Sequence, residues 1–206
     1  MASKKIILHL CADIGSDSRY YQMDRDYEVI MVGKDVGVEN FSPPSGVHGI
    51  IANPVCTEFQ TINHKRVNDT ESGMFLVNHC LRIIGESCPK WWVLENPSRG
   101  QLRRIIGEPV EVYQPWWYGA SWTKETALWG NFVMPDPIYR KWDDVPNKLP
   151  LYKRPGRGKP NLAFLHKSSA AMIPEMGWAM GKIKTDADMR SMCCDGFARA
   201  FYECNR

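Results

Sequence analysis

Long apolar runs are missing from this sequence. The longest near the N-terminus, Ile6 to Ala12, carries His9 and Cys11 and falls far short of the roughly 20 residues that a membrane span needs. No small-residue cleavage site follows Lys4-Lys5, so the segment does not read as a secretory signal. The expectation is a soluble, cytoplasmic chain with no membrane partner. Paired cysteine motifs are missing as well. The seven cysteines fall at 11, 56, 80, 88, 193, 194 and 204, and no C-x-x-C pair has a second to match. Neither a disulfide framework nor a zinc site is signalled, and no bound metal is expected. A dominant charge is absent too: 26 Lys and Arg oppose 23 Asp and Glu, a net of +3 that does not by itself argue nucleic-acid binding. Internal repeats and low-complexity segments are also lacking. With 44% hydrophobic and 24% charged residues, disordered, collagen-like and coiled-coil classes are excluded, and 206 residues favour one domain.

What is present is an alternation of short β-rich runs and helical patterns. Ile6–Leu10, Tyr27–Val32, Val47–Ala52 and Trp91–Glu95 are short, rich in β-branched or aromatic residues, and bounded by Gly, Pro, Asn or Asp, which predicts buried strands. Glu111–Gln114 and Thr126–Trp129 are weaker strand candidates. Gly73–Glu86 places Met74, Val77, Leu81 and Ile84 at helical spacing. Ser98 is positioned to cap a second helix through Leu102, Ile105 and Ile106, and Asp195–Glu203 reads as a short amphipathic helix. Strands alternating with helices predict βαβ units and a largely parallel sheet.

In open α/β sheets ligands bind beyond the carboxyl ends of the strands. Those ends carry Asp13-Ile14-Gly15-Ser16-Asp17, Gly33-Lys34-Asp35, Asn53-Pro54-Val55-Cys56 and Glu95-Asn96-Pro97. Taken alone, Cys56 fits a small core residue and Glu95 fits a structural cap. Together, a thiol and a carboxyl at neighbouring strand ends form a candidate nucleophile and acid. They suit addition of a thiolate to C6 of a pyrimidine while an acid holds N3, which makes C5 nucleophilic toward an electrophilic methyl group. Desolvation by Trp91 and Trp92 would raise the Glu95 pKa toward that of a useful proton donor.

Four stretches in order carry a resemblance: HGIIANPVCTEF, WWVLENPSRGQLRRIIGEP, YGASWTKETALWGNF and RSMCCDGFARAF. The chain resembles the DNA (cytosine-5) methyltransferases, most closely short phage-type members, from about Ile6 to Asn205. The resemblance implies an α/β fold with a Rossmann-like class I methyltransferase sheet flanked by helices. It implies a catalytic core over residues 1–132, a short irregular Pro/Trp-rich insertion over 133–189 in place of a full target-recognition domain, and a C-terminal helix over 190–206 returning to the core. Cys56 would be the nucleophile, Glu95 the residue that bonds and protonates N3, and Asn96 a support for the cysteine loop. S-adenosylmethionine would lie on Ala12, Asp13, Ile14, Gly15, Ser16, Gly33, Asp35 and Asn53. Pro54, Val55, Thr57, Lys124 and Thr126 would face the base, which is flipped from a duplex or taken from a single strand. The implied partner is DNA, and the implied setting is the cytoplasm of a bacterial or phage-infected cell.

The departures set further expectations. Asp13 stands where the family has a glycine, which would place a carboxylate beside that of the cofactor. Gly33 and Lys34 replace the acidic residue that takes the ribose, Val55 replaces the proline before the nucleophile, and Trp122, Lys124 and Thr126 occupy a Gln-x-Arg-x-Arg motif. Cys193-Cys194 replace Thr-Pro, and a Gly-Asn motif does not follow. These changes leave open a degenerate fold that binds nucleic acid or a host protein without catalysis, or an enzyme acting on a free cytosine nucleotide. The run KLPLYKRPGRGK, with Lys153, Arg154, Arg157 and Lys159, reads as a basic loop, either solvated surface or a tracker of nucleic-acid phosphates.

Overall fold

A computed structural model describes residues 3–12, 14–60 and 67–206. Strands β1 (Lys5–Leu10), β2 (Tyr27–Val32), β3 (Val47–Ala52), β4 (Trp91–Pro97), β5 (Glu111–Tyr113) and β6 (Thr126–Asn131) form one sheet in the order β2-β1-β3-β4-β6-β5. The first four are parallel, whereas β6 runs antiparallel to both β4 and β5. The sheet is therefore mixed but mostly parallel, compatible with a Rossmann-like fold. The helices are α1 (Arg19–Met23), α2 (Thr70–Ser87), α3 (Leu102–Ile106), α4 (Asp186–Ser191) and α5 (Asp195–Cys204). None of the described helices is long and apolar enough to cross a membrane.

Side chains alternate across a pleated strand, and here the alternation separates two cores. Leu8, Ile50, Leu94 and Ala127 meet Val77, Cys80 and Ile83 of α2. Their neighbours Ile7, Ile51, Val93 and Leu128 belong to the opposite core, with Tyr21 of α1 and Phe197 and Phe201 of α5. Asp69 caps α2 by accepting from the Ser72 amide at 3.0 Å, and Cys88 ends it in the left-handed region at φ 44°. Ser98 does not cap α3, contrary to the sequence expectation. The helix starts three residues later, after Gln101, and the Ser98 hydroxyl donates instead to the Glu125 carboxylate.

Residues 133–189 share the α5-side core, to which they contribute Leu151, Leu162, Leu165, Ile173, Met176 and Ile183. They are organised as short 3-10 turns and α4, the latter closed by a reciprocal capping box between Thr185 and Asp188. Asn205 ties the end of α5 to the start of this segment. Its amide donates to the Val133 carbonyl at 2.9 Å, and its carbonyl accepts from the Val133 amide at 2.8 Å.

Gly196 brings α5 against the turn 115–118, because a Cβ there would stand 2.0 Å from the Tyr118 carbonyl oxygen. Helix propensity alone favours alanine over glycine by about 1 kcal/mol, but a backbone oxygen cannot rotate away. Gly196→Ala is expected to destabilise the protein by about 1–3 kcal/mol net in urea unfolding. A gain in stability would show that α5 stands off from the turn.

Candidate active site

The order of the sheet reverses between β1 and β3, since the chain proceeds outward to β2 and then back across β1. Ligand crevices in α/β sheets form at such a point. Toward the carboxyl ends of β3 and β4, between the sheet face and α5, lies a narrow cleft with room for little more than a water molecule. Ile51, Val93 and Phe197 form apolar walls, while Asp17, Asn53 and Glu95 supply polar groups.

Glu95 shares the face of Trp91 and Val93 by the two-residue period of β4, which turns it into this cleft. Its side chain is 15% exposed and accepts an ion pair from the Lys124 ammonium at 3.2 Å. Burial pushes the Glu95 carboxyl above its usual range, with Lys124 opposing and Asp17 reinforcing the shift. Burial alone would lower the Lys124 pKa, but the Glu95 and Asp17 charges prevail and hold it high. The Lys124 ammonium pairs with Glu95 in the field of a second carboxylate, Asp17.

Cys56 leaves β3 on a turn whose carbonyl accepts from the Phe59 amide at 3.0 Å. Gln60 donates to its sulfur at 2.7 Å. Cys56 is not among the residues lining the cleft, but its thiol lies within the field of Glu95. Burial first, then that carboxylate, raise the thiol pKa, whereas Gln60 and Lys124 oppose. Asn96, fully buried, faces the other side of β4 from Glu95 and donates to the Pro54 carbonyl at 3.1 Å. The end of β4 thereby holds the cysteine loop. A second tie runs from the Gln101 amide to the Phe59 carbonyl at 2.8 Å.

No family model matches this chain, and neither does any curated protein.

The remaining sequence candidates divide by position. Asn53 lines the cleft, and its Oδ1 is buried without a hydrogen-bond partner among the described residues. Ala12, Ile14 and Ser16 are all under 8% exposed. The Ser16 hydroxyl accepts from the Cys193 amide at 3.0 Å, and the Ile14 carbonyl accepts from Lys182. Gly15 adopts φ 85°, and a Cβ on it would meet Met31 and Gln22 within 3 Å. Gly33 lies beside the Ala12 carbonyl, where a Cβ would stand 3.0 Å away, while Asp35 is exposed. Asp13 lies outside the described residues. Val55 and Thr57 are exposed, Pro54 is buried, and Thr126 is fully buried with its hydroxyl donating to the Lys124 carbonyl. Asp17, from the loop after the first strand, also lines the cleft, and the structure adds Tyr113, Cys193 and Phe197, which the sequence reading did not place at the site. Tyr113 stacks on Phe197 with ring centroids 3.8 Å apart.

A smaller crevice adjoins this cleft across Cys193, lined also by Arg19, Glu175 and Trp178. Burial, aided by the Asp195 charge and opposed by Arg19, raises Glu175 to about 7. A carboxyl that binds its proton more tightly when folded loses stability as pH rises from its unfolded value near 4.5 to about 7. The loss over that window is up to about 3 kcal/mol. Glu175→Gln is therefore expected to flatten the decline and to exceed the wild type in stability at pH 8. Parallel stability curves for the two proteins from pH 4 to pH 8 would count against this role.

Proposed function

We propose that this protein transfers a methyl group from S-adenosylmethionine to C5 of cytosine in DNA, with low sequence specificity. The observation that carries the reading is the grouping of Cys56, Glu95 and Lys124 near the carboxyl ends of β3 and β4, with Asn96 holding the cysteine loop to the strand that carries Glu95. A nucleophile and an acid that share a desolvated site suit covalent catalysis on a pyrimidine.

Burial keeps the thiol protonated in the free enzyme. Burial likewise favours a proton on Glu95, and a cytosine whose N3 accepts that proton carries positive charge on its ring beside the thiol. Cys56 then releases its proton to water and bonds to C6, and the C5–C6 electron pair becomes available at C5. After methylation, water takes the C5 proton, the Cys56 sulfur is expelled as a thiolate that regains a proton, the aromatic ring is restored, and the N3 proton returns to Glu95. Lys124 stays paired to that carboxylate and keeps it oriented through the cycle.

At one end of the cleft the Asn53 Oδ1 and the Asp17 carboxylate are acceptors suited to an amino group beside an apolar wall. S-adenosylmethionine supplies the electrophilic methyl group when bound. Asn53 and Asp17 would hold it, rather than the side chains of Ala12, Ile14 and Ser16, which the chain itself covers. That covered loop favours a second reading, a methyltransferase-like protein that binds nucleic acid or a protein partner without catalysis. A single experiment separates the two. DNA carrying 5-fluorocytosine, incubated with the protein and S-adenosylmethionine, is expected to become covalently attached, since fluorine cannot leave C5 as a proton does. Absence of attachment, together with no cofactor binding by calorimetry, would favour the non-catalytic reading.

A further inference from the structure

Residues 145–174 hold six Lys and Arg and no Asp or Glu. Within this acid-free stretch the loop 150–159 is pinned at both ends to the segment that leads into the active site. The Leu149 amide donates to the Ser121 hydroxyl at 3.0 Å. On the far side, the Thr123 amide donates to the Pro160 carbonyl at 2.9 Å, and the Leu162 amide to the Thr123 carbonyl at 3.0 Å. The next residue is Lys124, whose ammonium meets Glu95. The base of the basic loop is therefore tied to the residues immediately before the one that meets Glu95.

The four cations of the loop have different tasks. The Arg154 guanidinium lies 4.4 Å from the Phe164 ring centroid, and the Lys159 ammonium lies 4.6 Å and 5.4 Å from those of Trp116 and Trp142. These three contacts brace the loop. The Lys153 and Arg157 side chains have no partner among the described residues, and Tyr152 between them and the anchored end is 58% exposed. A free aromatic ring flanked by free cations is the arrangement that takes a stacked base and its phosphates. Reading a duplex in its major groove calls for a helix or a two-stranded ribbon, and the loop contains neither.

We infer that the loop binds single-stranded DNA, with Tyr152 stacking on a base that flanks the target and Lys153 and Arg157 meeting its phosphates. This rests on the proposal that the adjacent site acts on cytosine in DNA, and it names the form of that substrate. The test is fluorescence anisotropy of the full chain, without cofactor, against a labelled 15-nucleotide strand, its duplex and the RNA strand of the same sequence. The single DNA strand is expected to bind at least about tenfold more tightly than the duplex. Tyr152→Ala should weaken strand binding about 5- to 100-fold and Tyr152→Phe much less. The double variant Lys153→Ala, Arg157→Ala should make the log–log salt slope shallower by about 1.4, at about 0.7 for each single-strand phosphate. All three positions are exposed, and unchanged thermal unfolding checks that the variants fold. Duplex or RNA bound as tightly as the DNA strand, or Tyr152→Ala binding like the wild type, would overturn the inference. Strand binding without methyl transfer would sink only the catalytic reading, whereas transfer confined to duplex DNA would sink only this one.

Discussion

Cys56→Ser is expected to abolish attachment to 5-fluorocytosine DNA and to lower methyl transfer by more than about 10³-fold, because a hydroxyl in this site is a far weaker nucleophile than a thiolate. The substitution is nearly isosteric, and the loop holds itself through backbone bonds at Phe59 and through the Asn96 amide on Pro54. Thermal unfolding should therefore change little. Cys88 and Cys204 are exposed and provide an internal control: Cys88→Ser, far from the cleft in sequence and fold, should leave transfer intact. Transfer by Cys56→Ser at the wild-type rate would remove the thiol from the mechanism and with it the proposed reaction.

The second large effect is expected at Glu95. Glu95→Gln keeps a hydrogen-bonding group of the same shape but cannot deliver a proton to N3, and general acids of this kind contribute about 10²–10⁴-fold. A readout independent of turnover follows from the same geometry. The Cys56 thiol is raised first by burial and then by the Glu95 charge, while Lys124 acts in the opposite direction. Alkylation of Cys56 by iodoacetamide, resolved from the other cysteines by mass spectrometry, should reach its half-maximal rate at lower pH in Glu95→Gln. It should do so at higher pH in Lys124→Met. No shift in either variant would mean that the two side chains stand too far from the sulfur to act on it. A loss of transfer accompanied by the expected alkylation shifts would assign Glu95 to proton delivery rather than to folding.

The strands were legible because β-branched and aromatic runs such as YEVIMV and VHGIIA leave little choice of backbone. Their direction was not. The alternation that assigns Leu128 and Ala127 to opposite faces is the same for a parallel and an antiparallel strand, so β6 could not be recognised as running against β4. Helix α1 has only five residues, RYYQM, too few to display a helical period, and its aromatic side chains read equally well as strand. The Pro-rich stretch 133–189 looked irregular, and it is built of 3-10 turns. Its membership in the α5-side core depends on contacts such as those of Leu162 and Ile183 that no local pattern announces. At the site, Cys56 and Glu95 stood out because both follow buried strands, while Asn96 and Lys124 were singled out only through a family resemblance. Tyr113, Cys193 and Phe197 reach the cleft through long-range packing and had no local signature.

The cleft takes its walls from both early and late parts of the chain, from Asp17 after β1 to Phe201 in α5. During synthesis, β1, β3 and β4 leave the ribosome well before α5, and until α5 docks, Ile51, Val93 and the Glu95–Lys124 pair face water. A nascent chain at that stage has no desolvated carboxyl beside Lys124, so the environment of Glu95 is complete only when α5 closes over the sheet. The same order leaves an apolar sheet face uncovered in the interval, when the chain is most exposed to chaperones and to aggregation.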